Sequence, residues 1–254
     1  MSSKVSFLPF LLLTFGLGAC SQNASHLRQL SADNSASQIV NGRPVHANDA
    51  YAHHTVALGP ADEPMCTGVV IGAHTILSAA HCVEAIQGGV VLFGLDVAEA
   101  SAVQRPIKKV TGHPQYCETC ANSLNLADTK DLSIVEFEGE LPAGFSPVAF
   151  APKEMITSHR QVSLAGYGAD ESYQYDGILK VTQVPIDQVG NSEFSTDESA
   201  AGSCNGDSGG PVFIEESGHI WLAGITSRGD RNCRLLGVYT IPAVHESWIN
   251  TLKH

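Results

Sequence analysis

The chain has 254 residues, enough for one large domain or two small ones, and its 43% hydrophobic share is enough for a buried core. From Ile39 onward, 12 Lys and Arg stand against 25 Asp and Glu, a net charge of −13. That balance argues against nucleic acid or an anionic lipid surface as a partner.

The first twenty residues read as an export signal. Lys4 precedes an apolar run over residues 7–17, which is too short to span a membrane and has the length of a signal-peptide core. Its end, Leu17-Gly18-Ala19-Cys20, resembles a bacterial lipobox, in which the cysteine is lipidated and becomes the new N-terminus. Ordinary cleavage after Ala19 is the competing outcome. Seven cysteines is an odd number for an exported protein, and setting Cys20 aside as a lipid site leaves six, enough for three bridges. Residues 21–38 are polar and aperiodic, as expected of a tether or propeptide.

At Ile39-Val40-Asn41-Gly42 the composition changes. Short apolar runs follow at 55–58, 68–71, 75–79, 89–93, 132–137, 161–165, 178–186, 211–214, 220–226 and 237–241, most of them bounded by Gly, Pro, Asn or Asp. Many short strands with few helical stretches predict an all-β sandwich or barrel. Only residues 242–252 have helical spacing, with Val244, Trp248 and Ile249 on one side.

Chemistry concentrates in four stretches. Gly202 to Pro211 reads G-S-C-N-G-D-S-G-G-P, and a serine flanked by glycines suits a tight turn that exposes a nucleophile beside backbone N–H donors. A serine is a poor nucleophile alone, so Ser208 needs a base, an orienter for the base and donors for an oxyanion. Ser78-Ala79-Ala80-His81-Cys82 offers the histidine, and Asp131-Leu132-Ser133-Ile134-Val135 an acid opening an apolar strand. Asp128 is the rival acid, with a solvated loop as its ordinary role. Ile39-Val40-Asn41-Gly42 offers a potential new N-terminus.

Taken together, in the order His, Asp, Ser, these motifs resemble the trypsin/chymotrypsin family of serine proteases across residues 39–254. The resemblance implies two antiparallel six-stranded β-barrels with a cleft between them, a link near 141–153 and a short C-terminal helix. It also implies His81 as general base, Asp131 as its orienter, Ser208 as nucleophile, and the amides of Gly206 and Ser208 as oxyanion hole. Cutting after Gln38 would free the Ile39 amine to pair with Asp207, so the chain would be made as a zymogen. Gln38 stands where relatives carry Arg or Lys, which points to an activating protease that is not tryptic. The resemblance implies the bridges Cys66–Cys82 and Cys204–Cys233. Cys117 and Cys120 have no usual family counterpart; a local bridge is preferred over a redox pair, because no thioredoxin-like pattern surrounds them. Residues 186–202 are short, and the second barrel's loops look trimmed, as in simpler bacterial members.

For specificity, the resemblance puts Gly202 at the pocket base, with Ser203 beside it and Gly229 and Gly237 as walls. Without a base carboxylate to pair Arg or Lys, and with glycine walls leaving room, a large apolar residue before the scissile bond is expected. Ser227, Arg228 and Gly229 are expected to pair with substrate backbone as a β-edge. Arg228, Arg231 and Arg234 raise a preference for acidic substrates as the alternative; their ordinary role is to be solvated or to offset nearby acids. No cofactor is implied. His46, His53, His54, His74 and His113 lack metal-ligand spacing, and Asp96 with Glu99 is a weak calcium signal. Expected partners are polypeptide substrates and the activating protease, with the chain a monomer that touches membrane only through a lipid on Cys20 before its release. An α/β-hydrolase reading fails because helical patterns are nearly absent and only 46 residues follow Ser208. An inactive, protease-like binding protein is the rival of another class.

Overall fold

The computed structural model describes residues 39–253 except 171 and 173, together with Ser2. The signal segment, Cys20, the tether and Gln38 lie outside the described residues.

Six strands close into a first barrel: β2 (Thr55–Gly59), β3 (Cys66–Gly72), β4 (Thr75–Ser78), β5 (Val90–Phe93), β6 (Val103–Gly112) and β7 (Ser133–Phe137), in the order β2-β3-β4-β7-β6-β5. Six more form a second: β8 (Gln161–Gly166), β9 (Lys180–Val189), β10 (Glu193–Asp197), β11 (Pro211–Glu216), β12 (His219–Gly229) and β13 (Leu236–Thr240). Their order is β9-β10-β13-β12-β11-β8, and the β8–β9 pairing closes it; the two-residue β1 (Arg43–Pro44) joins β9 from outside. Every pairing between strands is antiparallel, and each six-stranded ring closes on itself. The all-β, two-barrel expectation holds.

The apolar runs β3 and β4 are buried along their whole length, which suits strands with barrel core on one face and further packing on the other. Three strands carried no apolar signal. In β6, Pro106, Lys108 and Lys109 break the pattern, and the strand is half-exposed. In β10, the sequence EFSTD is polar, yet four of its five residues are buried, because other segments supply their hydrogen bonds. The third is β1, at two residues.

Residues 138–160 run between the barrels and bond to both: the Val148 N–H donates to Val70 and the Ala151 N–H to Leu222. Ala165, Tyr167, Phe213 and Leu222 of the second half pack into the same apolar cluster as the first barrel's interior. The C-terminal helical stretch is shorter than its sequence pattern: a 3-10 turn over Pro242–His245 followed by one α turn, Glu246–Ile249. Ile249 is buried and Trp248 partly so, but Val244 faces solvent, since the 3-10 turn rotates it off the shared face. A further α turn, α1 (Val83–Ile86), follows the histidine segment; the C-terminal turn is α2.

Candidate active site

The histidine stands on a 3-10 turn, Ala80–Cys82, at the end of β4. The turn is fastened to β3 by the Cys66–Cys82 disulfide. Asp131 arrives immediately before β7, after Lys130 takes a left-handed conformation with φ 53°. That local twist turns the carboxylate inward. Its Oδ2 accepts from His81 Nδ1 at 2.8 Å and its Oδ1 from the His81 backbone N–H at 3.0 Å. The Ser227 hydroxyl, on β12 of the second barrel, donates to Oδ2 at 2.7 Å. Asp131 is fully buried. Burial opposes its charge, but the His81 and Ser227 donors outweigh this and hold its pKa below the ordinary aspartate value. Asp128, the rival acid, is half-exposed and pairs with Lys130 Nζ at 2.6 Å. His81 is thus oriented through Nδ1, with a third of its side chain accessible.

Ser208 lies half-buried on a tight turn between Gly206 (φ 93°) and Gly209 (φ 78°). A Cβ on Gly209 would sit 2.0 Å from Ser78 Oγ and 2.8 Å from the Ala79 nitrogen, so only glycine lets this turn press against the segment that leads into His81. The Ser208 carbonyl accepts from the Thr67 N–H at 2.9 Å and lies 3.7 Å from Cys82 Sγ. The nucleophile turn and the histidine turn therefore share one wall. The backbone N–H groups of Gly206 and Ser208 donate to no acceptor among the described residues, the condition an oxyanion site needs.

Asp207 points away from this surface. It is fully buried, taking the Gly168 N–H at 2.8 Å on Oδ1 and the Cys204 N–H at 2.8 Å on Oδ2. Burial pushes its pKa up to about 7, against the pull of those two amides. Ile39 is buried, and the next residue, Val40, bridges to Gly202.

The sequence model of the Trypsin family matches residues 39–249. The chain is 30% identical over 203 residues to "Trypsin II-P29" of Gallus gallus, covering 72% of this chain and 77% of that one. It belongs to the trypsin family of serine proteases. That membership makes it a serine endopeptidase, a hydrolase of peptide bonds. It is 26% identical over 234 residues to "Melanization protease 1" of Drosophila melanogaster, spanning 57% of that relative's length, and it spans 20% of "Transmembrane protease serine 9" of Rattus norvegicus. The solved structure of neuropsin, "a serine protease expressed in the limbic system of mouse brain", superposes with a TM-score of 0.70 at 21% identity. It covers 84% of this chain and 99% of that one, a likeness of fold.

In this protease two carboxylates that the sequence reading passed over, Glu198 and Glu193, organise the surroundings of residues 202–203 and 227–229. Gly202 and Gly237 do not leave open space. A Cβ on Gly202 would lie 2.3 Å from Glu198 Oε2, and one on Gly237 would lie 2.1 Å from Glu198 Oε1. Glu198 occupies the space beside both glycines. Its carboxylate accepts from the Tyr239 hydroxyl, from Thr196 Oγ1 at 2.9 Å and from the Ser203 N–H at 3.0 Å; Ser203 Oγ lies 3.3 Å from both of its oxygens.

Arg228 sits against the second of them, in the acid-offsetting role the sequence allowed for it. Its guanidinium forks onto Glu193, at 3.0 Å to Oε1 and 2.8 Å to Oε2, and donates to the carbonyls of Ser123 (2.6 Å) and Asn125 (3.0 Å). A side chain so committed is not available to a substrate acid, so Arg228 ties the loop before Asp131 to the second barrel instead. The backbone of 227–229 is nonetheless placed as an edge, because the β11 pairing ends at Pro211 and Ile225. Gly229 pairs with Gly237 on β13, and Arg231 and Arg234 are exposed.

Two further bridges close the local loops: Cys117–Cys120, three residues apart, and Cys204–Cys233, which ties the pocket-base segment to the loop after β12. The sequence reading missed Glu198, Glu193 and the Ser227 hydroxyl. Glu198 sits in Thr196-Asp197-Glu198-Ser199, which looks like an ordinary polar turn, and only Gly202 and Gly237 hinted that something needed their space.

Proposed function

We propose that this chain is an exported protease precursor that cleaves polypeptides through Ser208, with His81 as general base and then general acid and Asp131 as the orienter of its imidazole. The observation that carries this reading is the 2.8 Å contact between His81 Nδ1 and Asp131, on a turn sharing a wall with Ser208. A fixed Nδ1–H leaves Nε2 as the acceptor for the serine proton. Attack on the scissile carbonyl gives a tetrahedral oxyanion received by the amides of Gly206 and Ser208. His81 then protonates the leaving amine, and water, activated by the same imidazole, releases the acyl group from Ser208. Substrate backbone adds as a strand beside Ser227, Arg228 and Gly229, and the side chain before the scissile bond enters next to Gly202 and Ser203.

Activation follows from the second carboxylate. In the uncut chain residue 39 offers a peptide N–H; cleavage of Gln38–Ile39 turns it into an ammonium. A cation that pairs with Asp207 would stabilise a buried carboxylate that two amides and the field of Lys180 leave with a raised pKa, fixing the turn that carries Gly206 and Ser208. Export rests on the signal-like segment of residues 7–17, and the lipobox-like ending supports a lipid on Cys20 that the same cut would shed. A bacterial-type origin rests on that ending and on the short loops; the relatives named above are animal proteins and lend it no weight. An acidic substrate preference would have to rest on Arg231 and Arg234 alone. The enzyme acts as a monomer.

Labelling by a fluorophosphonate probe tests the reading. Strong labelling is expected only once the N-terminus is Ile39, and none in Ser208→Ala. A labelled Ser208→Ala protein, or a fully active form with another N-terminus, would overturn it.

A further inference from the structure

The segment of Gly202 and Ser203 encloses a buried acid that lies outside the His81–Asp131 hydrogen bonds. Glu198 is 1% exposed, yet its carboxylate stands where side chains on the pocket's base and wall would otherwise be, within 2.3 Å of a Cβ on Gly202 and 2.1 Å of one on Gly237. Those two glycines are therefore explained by the acid: any larger residue would collide with it. Its partners are hydroxyls and an amide, and no Lys, Arg or His ion-pairs with it among the described residues. A buried acid without a cation is expensive to ionise. Such a group is useful when its counter-charge arrives from outside.

We propose that Glu198 is the carboxylate that receives the residue before the scissile bond, so that this protease selects arginine or lysine there even though its pocket base is an uncharged glycine. The proposal rests on the protease reading above. A guanidinium or ammonium entering past Gly202 meets no Cβ before the carboxylate, and the Ser203 hydroxyl already at 3.3 Å can turn to accept from it. The two buried carboxylates then have parallel fates. Asp207 gains its cation from the new N-terminus, and Glu198 gains its cation from the substrate.

Titration gives an independent readout. Burial pushes the Glu198 pKa up to about 7, against the hydrogen bonds from Tyr239, Thr196 and Ser203. The charged or titratable groups facing it are the Tyr239 hydroxyl on β13 and, through space, Asp207. Preference for a cation should therefore strengthen as pH rises through neutrality, whereas the triad acts equally on all substrates and cancels in a ratio.

The test uses the full-length chain processed to the form that labels with fluorophosphonate, on matched peptides with Arg, Lys, Gln, Leu, Phe, Ala or Glu before the cut. Arg or Lys should be fastest, and benzamidine, a cationic probe, should compete. The Arg-to-Leu ratio of kcat/KM should rise from about pH 6 to about pH 8. Glu198→Gln should lower kcat/KM for Arg about 100-fold more than for Leu, weaken benzamidine similarly and flatten the ratio's pH profile. Labelled enzyme that prefers Leu, Phe or Ala would show the acid acting as a plug and overturn the proposal, as would a preference for Gln or Glu, or a Glu198→Gln variant that keeps its Arg preference. If Glu198→Gln does not label, the wild-type ratio decides: a rise with pH supports the proposal, and a flat or falling ratio refutes it. Wild-type protein that never labels refutes the protease reading itself, a result distinct from all of these.

Discussion

Asp131 and Asp207 are both fully buried aspartates, and although burial opposes the charge of each, their pKa values move in opposite directions because different donors surround them. Around Asp131 an imidazole N–H, its backbone N–H and the Ser227 hydroxyl all donate, and the carboxyl stays below its ordinary pKa. Around Asp207 there are two backbone amides, and its carboxyl rises to about 7, as does that of Glu198 nearby. Each of the latter two raises the cost of charge on the other. The first-barrel half of the site is thus electrostatically satisfied, whereas Asp207 and Glu198 keep raised pKa values even though the buried Lys180 favours charge on Asp207. On the function proposed above, the difference means that one region is built by folding alone and the other is left for cleavage and substrate to finish.

The largest expected effect strikes the complete half. Asp131→Asn keeps the shape but offers His81 Nδ1 either an acceptor or an amide N–H, which allows the wrong tautomer. A fall in kcat of about 10⁴-fold is expected, with KM little changed. A fall below about tenfold would mean that His81 is oriented by something other than this carboxylate, and the contrast between the two aspartates would lose its functional meaning.

The pocket half is tested by pH. Asp207 and Glu198 hold protons in the folded state up to about pH 7, where the unfolded chain has released them. The folded state therefore binds more protons between about pH 4 and about pH 7, and stability falls as pH rises across that window. Asp131 has the opposite sign: its contribution is present above the ordinary aspartate pKa and is lost as pH falls toward its lowered value. Burial lowers the pKa of His54, His113 and His245, which adds a rise of stability with pH near neutrality to cut and uncut forms alike. The acids' decline is therefore read by comparing the Tm of uncut Ser208→Ala protein with that of its cut form. In the form cut before Ile39 the decline should be smaller, because an ammonium now favours charged Asp207. Equal slopes in both forms would sink the activation pair.

How much of this was readable beforehand divides along the same line. The strands with apolar faces announced themselves, since burial selects Val, Ile and Leu at Val69–Ile71 or Ile134–Val135 whatever the neighbours are. His81, Asp131 and Ser208 were marked by short motifs, because tight turns constrain local sequence. Glu198, Glu193 and Arg228 were not, because their meaning comes from partners far along the chain: Gly202 and Gly237 for the first, residues 123–129 for the other two. Strand β10 was illegible for the same reason, its polar residues being buried only because distant donors and acceptors meet them. Arg228 was legible as an arginine that offsets a nearby acid, with substrate recognition as the alternative, but the acid it meets, Glu193, was not.

That fork gives the next effect in size. Arg228 and Glu193 are 9% and 0% exposed at the side chain, so Arg228→Ala leaves a buried carboxylate with hydroxyl and amide partners alone and should destabilise by about 3 kcal/mol, read in chemical denaturation. Replacing both partners with apolar residues of similar volume should recover most of the loss. A loss near zero in the single variant would show that Glu193 tolerates isolation as Asp207 does, and burial without a cation would cease to distinguish the pocket half.

The smallest effect belongs to the Cys117–Cys120 bridge. Loop-closure entropy grows with the logarithm of loop length, so a bridge spanning three residues constrains the unfolded chain least of the three disulfides. Replacing both cysteines with serine should cost about 2 kcal/mol at most, below the roughly 3 kcal/mol expected for Cys66–Cys82. The Cys117 N–H still donates to the Thr129 carbonyl at 2.9 Å, and Arg228 still holds Ser123 and Asn125, so the loop keeps anchors on both sides of the missing bridge. The His81–Asp131 half should therefore keep kcat within about threefold. A larger loss of kcat with little change in stability would show that this short bridge, rather than the Arg228 fork, sets the position of Asp131, and the complete half of the site would then depend on its redox state.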